Sequence, residues 1–249
     1  MDKRLILLWL SDMLQCEGDH MYTNKLLEVI MESSRSEAME QRPDFELFIR
    51  AIQLKREVTR ITIYRGDNMT YKDILNTERL TLRPVVNDDF NAVHSWAKNP
   101  ENVRYMSWGP NSEEQTREFL PTAKPGKDFA IVLKETGKVI GSCGIYPDSN
   151  NDTASLGWIL HIDHWQKGYG TELAAELIRY GFEDLKLRRL YANCAVENYG
   201  SYRVMERNGM RREALHIQSF WARIDEKWVD DAVYAILAKE YFANKNNNE

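Results

Sequence analysis

Apolar residues recur every three to four positions through the first 58 residues. Leu5, Leu8, Trp9 and Met13 share one face, as do Leu26, Leu27, Ile30 and Met31, and then Phe45, Phe48, Ile49 and Ile52. This period predicts three helices, the second capped by Thr23 and the third opened by Pro43, with Glu and Arg on their opposite faces. Residues 59–64 then alternate polar and apolar as a short strand, and Arg65-Gly66-Asp67-Asn68 ends it as a turn.

From Glu78 the chain alternates between the two periods. Residues 80–84 read as a strand, and Asn87 or Asp88 can cap a helix carrying Phe90, Val93 and Trp96. A loop-rich stretch runs from Asn99-Pro100 through Trp108-Gly109-Pro110, and a charged helix starts near Ser112. Residues 129–133 and 139–146 are strands joined closely enough by Glu135-Thr136-Gly137-Lys138 for a hairpin. A strand over 154–160, a helix from about 169, a strand over 190–196 and a helix over 199–207 follow, the last closed by Asn208-Gly209. Residues 214–224 and 228–237 form a closing hairpin. The pattern divides the chain into a helical domain at 1–65, a linker at 66–75, an α+β domain at 76–242 and a frayed, Asn/Lys-rich tail at 243–249.

Composition narrows the partners. A net charge of -5 gives no electrostatic reason for a polyanionic ligand, so nucleic acid is not expected. The apolar run at residues 5–10 is short and lacks a small-residue cleavage site, which fits a buried amphipathic helix better than a signal peptide. No other segment is long enough to span a bilayer, so no membrane partner and a cytoplasmic location are expected. Cys16, Cys143 and Cys194 are widely spaced with no C-x-x-C pair, which reads as free thiols in a reducing compartment and no metal site.

The chemistry concentrates at Trp165-Gln166-Lys167-Gly168-Tyr169-Gly170-Thr171, which runs into the helical Glu172-Leu173-Ala174-Ala175-Glu176-Leu177-Ile178. Two glycines beside a lysine, at a helix start, let the backbone approach phosphate oxygens and surround them with free N–H groups. The apolar strand ahead of it completes a strand, loop, anion-binding turn and helix.

That order of elements, with Leu156-Gly157-Trp158-Ile159-Leu160, the cradle through Leu173, and Val196-Glu197-Asn198-Tyr199-Gly200-Ser201-Tyr202-Arg203-Val204-Met205-Glu206-Arg207-Asn208-Gly209-Met210, resembles the GCN5-related N-acetyltransferase (GNAT) superfamily over residues 76–242, and within it the RimJ/RimL-like branch. The resemblance implies an α+β fold: a mixed, mostly antiparallel sheet with a splayed pair of strands, flanked by helices, here joined to a small N-terminal helical domain. It implies acetyl-CoA as cosubstrate and a primary amine, on a protein N-terminus or a small molecule, attacking the thioester directly in a ternary complex. The pyrophosphate would sit on Gln166, Lys167, Gly168, Tyr169, Gly170 and Thr171. Pantetheine would enter between strands 155–160 and 190–196 against the backbone of Leu160, His161 and Ile162, with further contacts at Asn193, Asn198 and Ser201. Trp165 stands where the superfamily signature usually begins with Arg or Gln, and the RimJ/RimL-like branch resembles this chain in placing an aromatic there.

An aliphatic ammonium holds its proton up to about pH 10, so a proton acceptor is needed, and the departing sulfur benefits from a donor. The tyrosine donor of many superfamily members falls at Met205 and does not carry over. The branch's candidate is Ser201, whose other reading is a helix N-terminal residue bonded to backbone. A glutamate common in relatives falls at Ser155. His161, Tyr146, Asp148, Asp163 and His164 remain as candidate bases beside a water chain; His161 is suited by type, although loop histidines are commonly just exposed. Trp108, Tyr146, Trp221 and Trp228 line an acceptor pocket or pack as core. The missing Glu and Tyr leave a second reading, a non-catalytic acetyl-CoA-binding regulatory module acting through its helical domain. That domain has apolar surface enough to dock onto the catalytic domain or form a homodimer.

Overall fold

The structure, a computed structural model, describes residues 71–149 and 152–246. The expected N-terminal helices, the strand at 59–64, Cys16 and the first half of the linker lie outside these residues.

Eight strands form one sheet in the order β1-β2-β3-β4-β5-β6-β8-β7. They are β1 (Leu75–Asn76), β2 (Leu80–Pro84), β3 (Asp128–Leu133), β4 (Val139–Pro147), β5 (Thr153–Leu160), β6 (Arg189–Ala195), β7 (Arg211–Ala222) and β8 (Lys227–Leu237). Every neighbouring pair is antiparallel except β5 and β6. Those two pair only at Thr153↔Arg189, Ala154↔Leu190 and Ser155↔Tyr191, so the remainder of β5 and β6 diverges. This is the GNAT fold, with the splayed pair where the resemblance placed it.

Among the described residues, six α-helices surround the sheet: α1 (Phe90–Ala97), α2 (Pro100–Val103), α3 (Glu113–Phe119), α4 (Tyr169–Arg179), α5 (Tyr199–Arg207) and α6 (Ala238–Asn246). α3 begins in a capping box, in which Ser112 and Gln115 satisfy each other's backbone N–H groups. α4 buries Leu173, Ala174, Leu177 and Ile178 against the sheet, in the main core with Ile145, Leu156 and Leu190. Each fully buried leucine there contributes about 1.5–3 kcal/mol of apolar transfer. On the opposite face, Val93, Trp96 and Ala97 of α1 pack with Val103, Leu120 and Ile159.

Two local features depart from the sequence reading. α4 continues into a π-turn at Tyr180–Asp184, which buries Tyr180 and Phe182. The tail expected from 243 is helical through Asn246, because α6 is tied down: Tyr241 and Lys245 both donate to Glu183, at 2.8 and 2.6 Å, and Glu240 accepts from the Leu237 N–H at 2.9 Å. Cys143 and Cys194 are free and buried, as expected. Among the described residues, no helix is long and apolar enough to cross a membrane and no cluster of three metal-binding side chains occurs.

Candidate functional site

The cradle forms because β5 is succeeded by a tight turn that must reverse into α4. A single 3-10 turn at Ile162–His164 comes first, then Gln166 at φ 58° and Gly168 at φ 81°, both left-handed. The first intrahelical bond of α4 runs from the Glu172 N–H to the Gly168 carbonyl at 3.1 Å. Ahead of it, the N–H groups from Gln166 to Thr171 make no backbone bond among the described residues, which gathers orphan donors and the positive end of the helix dipole at one place. This arrangement fits a diphosphate, and Lys167 adds a cation within it.

Arg79, at the entrance to β2, braces the cradle from outside. Its Nη1 donates to the Lys167 carbonyl at 3.0 Å, its Nε to Glu172 at 2.6 Å, and its guanidinium lies 4.6 Å from the Tyr169 ring. Glu172 also accepts from the Arg79 N–H at 2.8 Å and the Thr77 hydroxyl at 2.5 Å. Burial alone would raise the Glu172 pKa, but these donors outweigh it and hold the carboxyl below its ordinary value. Nothing in the sequence pattern singles out Arg79 or Thr77, because they lie more than ninety residues from their partner.

His164 sits in the same turn, its ring 6.2 Å from Tyr169 and 6.4 Å from His161, with Nδ1 buried and without a hydrogen-bond partner among the described residues. Burial first, then Lys167 and His161, lower its pKa from 6.5. A histidine that folds with a lowered pKa stabilises the native state in its neutral form, and that stability is lost as pH falls from 6.5 through the folded pKa. His164→Gln should therefore lose less stability than the parent between neutral and mildly acidic pH, read from urea unfolding midpoints at each pH. An identical acid loss in both proteins would contradict this.

The backbone expected to hold pantetheine is largely in use. The Leu160 carbonyl accepts from Asn102 Nδ2 and Trp165 Nε1, both at 2.7 Å; the His161 N–H donates to the Ile140 carbonyl at 2.8 Å; the Ile162 N–H donates to Asn102 Oδ1 at 3.3 Å. Asn102, buried in α2, thus pins the turn after β5. The antiparallel ladder alternates, and residues 153 and 161 bond to β4 at 148 and 140. Backbone groups of Leu156, Trp158 and Leu160 consequently face the diverging edge.

His161 caps the 3-10 turn, its Nδ1 accepting from the Asp163 N–H at 3.2 Å. In the neutral ring this bond assigns the proton to Nε2. Asn198 caps α5 by accepting from the Ser201 N–H at 3.2 Å, and the Cys194 thiol on β6 is buried. Burial first, and Asp231 next, push that thiol up to about 12, so it stays protonated. Asn193 donates from Nδ2 to Asp231 at 2.8 Å.

On the sheet face covered by α1, Tyr146, Ser155 and Tyr191 lie side by side where β5 and β6 part. The Tyr191 hydroxyl donates to Asp148 at 3.1 Å, and the Tyr146 hydroxyl donates to Asp128 at 2.8 Å. Burial, then Asp128, raises the Tyr146 pKa, which keeps its proton in place. Asp163 is an exposed side chain in the turn. Trp221 and Trp228 instead pair across β7 and β8 at 5.4 Å, and strand alternation from Asp231 puts them on the sheet face opposite Tyr146. Trp108 is exposed in the loop after α2.

A splayed parallel pair with a turn of orphan N–H groups at the start of the helix after β5 is the architecture of an acyltransferase. The acetyltransferase (GNAT) domain model matches residues 79–211, and the chain belongs to that family; it is an N-acetyltransferase. It is 31% identical over 169 residues to the uncharacterized N-acetyltransferase YnaD of Bacillus subtilis, covering 67% of this chain and 98% of YnaD. The crystal structure of a GNAT-family acetyltransferase from Bacillus anthracis superposes with a TM-score of 0.63 at 32% identity, covering 67% of this chain and 99% of that one. The fold is shared with the spermidine N-acetyltransferase of Vibrio cholerae, solved with CoA and spermine, at a TM-score of 0.58 and 22% identity, over 66% of this chain and 97% of that one.

Proposed function

We propose that this chain moves an acetyl group from acetyl-CoA to a primary amine in a ternary complex, as a member of the RimJ/RimL-like branch. The observation that carries this reading is the run of unpartnered N–H groups from Gln166 to Thr171, with Lys167, at the end of a strand that has just parted from its neighbour. Acetyl-CoA supplies the activated thioester. The cradle binds the diphosphate, and the backbone of Trp158 with the Leu160 N–H receives the pantetheine amides, in place of the Leu160 carbonyl and the His161 and Ile162 groups, which are already bonded. Asn198 and Ser201 stand at the first turn of α5, and Ser201 is the donor of a proton to the departing sulfur.

His161 does not serve as the base in this reading, because Nδ1 is committed to Asp163 and Nε2 carries the proton. The amine's proton leaves instead by water to Asp148, beside Tyr191 and Ser155 at the fork. The test is thiol release from acetyl-CoA by the full chain with a panel of primary amines, including polyamines, aminoglycosides and peptides with free N-termini. Turnover of any of them supports transfer; acetyl-CoA binding without turnover of any would favour the regulatory-module reading. Loss of acetyl-CoA binding altogether would remove both.

The Arg79–Glu172 brace gives a further expectation. Glu172→Ala should weaken acetyl-CoA binding roughly tenfold, about 1.4 kcal/mol, by freeing Arg79 and loosening the cradle. Isothermal titration checks it, and an unchanged affinity would show the brace to be purely structural.

A further inference from the structure

β8 carries a buried acid that the reading above does not use. Asp231 is 8% exposed; Oδ2 accepts from Asn193, while Oδ1 is buried with no hydrogen-bond partner among the described residues. A buried carboxylate oxygen without a donor is unfavourable, so a donor is expected beside it. Arg104 pairs with Asp225 at 3.0 Å and Lys227 with Glu197 at 2.9 Å. Among the described residues no lysine, arginine or histidine forms an ion pair with Asp231. Cross-strand, its neighbours are Ala195 on β6 and His216 on β7.

Its position is as informative as its missing partner. Asn193 and Asp231 share the sheet face of Tyr191, which is the last residue of β6 paired to β5. Asn193 is two residues further along, roughly 6.6 Å, on the edge of β6 that the fork leaves without β5. The surroundings are apolar and aromatic: Ala195, Ala222 and Val229 are buried there, with Tyr105 and Phe220 packed against them. An acid with a vacant oxygen, set beside aromatic rings at the open edge of the splayed pair, matches an alkylammonium in charge and in donor geometry.

We propose that Asp231, held in place by Asn193, is the binding group for the ammonium of the acceptor amine, so that the site selects primary alkylammonium substrates. This rests on the acetyltransfer reading above. The ammonium donates one N–H to Oδ1, completing the carboxylate, and lies on the face from which an amine reaches the fork.

The test is isothermal titration of ethylammonium, spermidine and a short peptide with a free N-terminus into CoA-saturated full-length protein, wild type and Asp231→Asn. At least one of the three should bind the wild type, and D231N should weaken that binding tenfold or more while CoA affinity is unchanged. Asp231→Ser serves the same purpose if D231N does not fold. Equal amine affinity in wild type and variant would overturn the proposal and leave Oδ1 to a structural water. Binding of none of the three amines by the wild type would overturn it too. Failure of CoA itself to bind would strike the acetyltransfer reading instead, and is seen separately in the first titration.

Discussion

Gly168→Glu should reduce acetyl-CoA affinity by about 100-fold or more, equivalent to ~2.7 kcal/mol, while the far-ultraviolet circular dichroism stays that of the parent. Three effects act together at this one position. Gly168 caps α4 at φ 81°, where an L-residue costs about 1–2 kcal/mol. A Cβ would stand 3.3 Å from Arg79 Nη2, so the new carboxylate competes with Glu172 for the guanidinium that braces the loop. The same carboxylate brings negative charge to donors that the reading assigns to a diphosphate. Gly168→Ala separates the terms, since it keeps the strain and omits the charge, and should weaken binding by roughly tenfold. Unchanged titration curves for G168E would mean that the cradle does not hold the coenzyme.

Gly141→Ala should lower the unfolding free energy by about 3 kcal/mol, and with it the melting temperature by roughly 6–12 °C. Gly141 lies on β4 opposite Leu160, and a Cβ there would come within 2.2 Å of the Ile159 carbonyl oxygen and 3.0 Å of the Leu160 Cα. Both are backbone atoms, so no side chain can turn aside, and the strands must part at the point where β5 hands the chain to the cradle. Asn102 and Trp165 depend on the Leu160 carbonyl in the same place, so a loss of acetyl-CoA affinity should accompany the loss of stability. Differential scanning calorimetry measures the first; a melting temperature within about 2 °C of the parent would contradict the close approach.

The parts of this site that were legible beforehand are the local ones. A left-handed glycine, an adjacent lysine and a helix start are all specified within seven residues, so the cradle could be read from Trp165 to Thr171. The same holds for strands whose apolar positions alternate. α6 was not legible because its residues show no apolar stripe; it is held by Glu183, sixty residues away, and by a contact between Glu240 and Arg211. Leu160, His161 and Ile162 lie where β5 ends, but the Leu160 carbonyl and the His161 and Ile162 N–H groups are already bonded. Which of their backbone groups are free depends on the ladder with β4 and on Asn102, and neither can be seen along the sequence.

The sequence by itself therefore determined the order of elements and the glycine-rich turn ahead of α4, because both follow from residue type and short spacing, and its motifs resemble those of an acetyl-transferring family. Only the tertiary structure decided how far β5 and β6 pair before they diverge, that Arg79 and Asn102 fix the turn between them, and that Asp231 is buried with one oxygen unserved. Those features arise from cross-strand register and from partners dozens of residues apart. Charge complementarity at such distances has no period along the chain and becomes visible only once the sheet has brought the strands together.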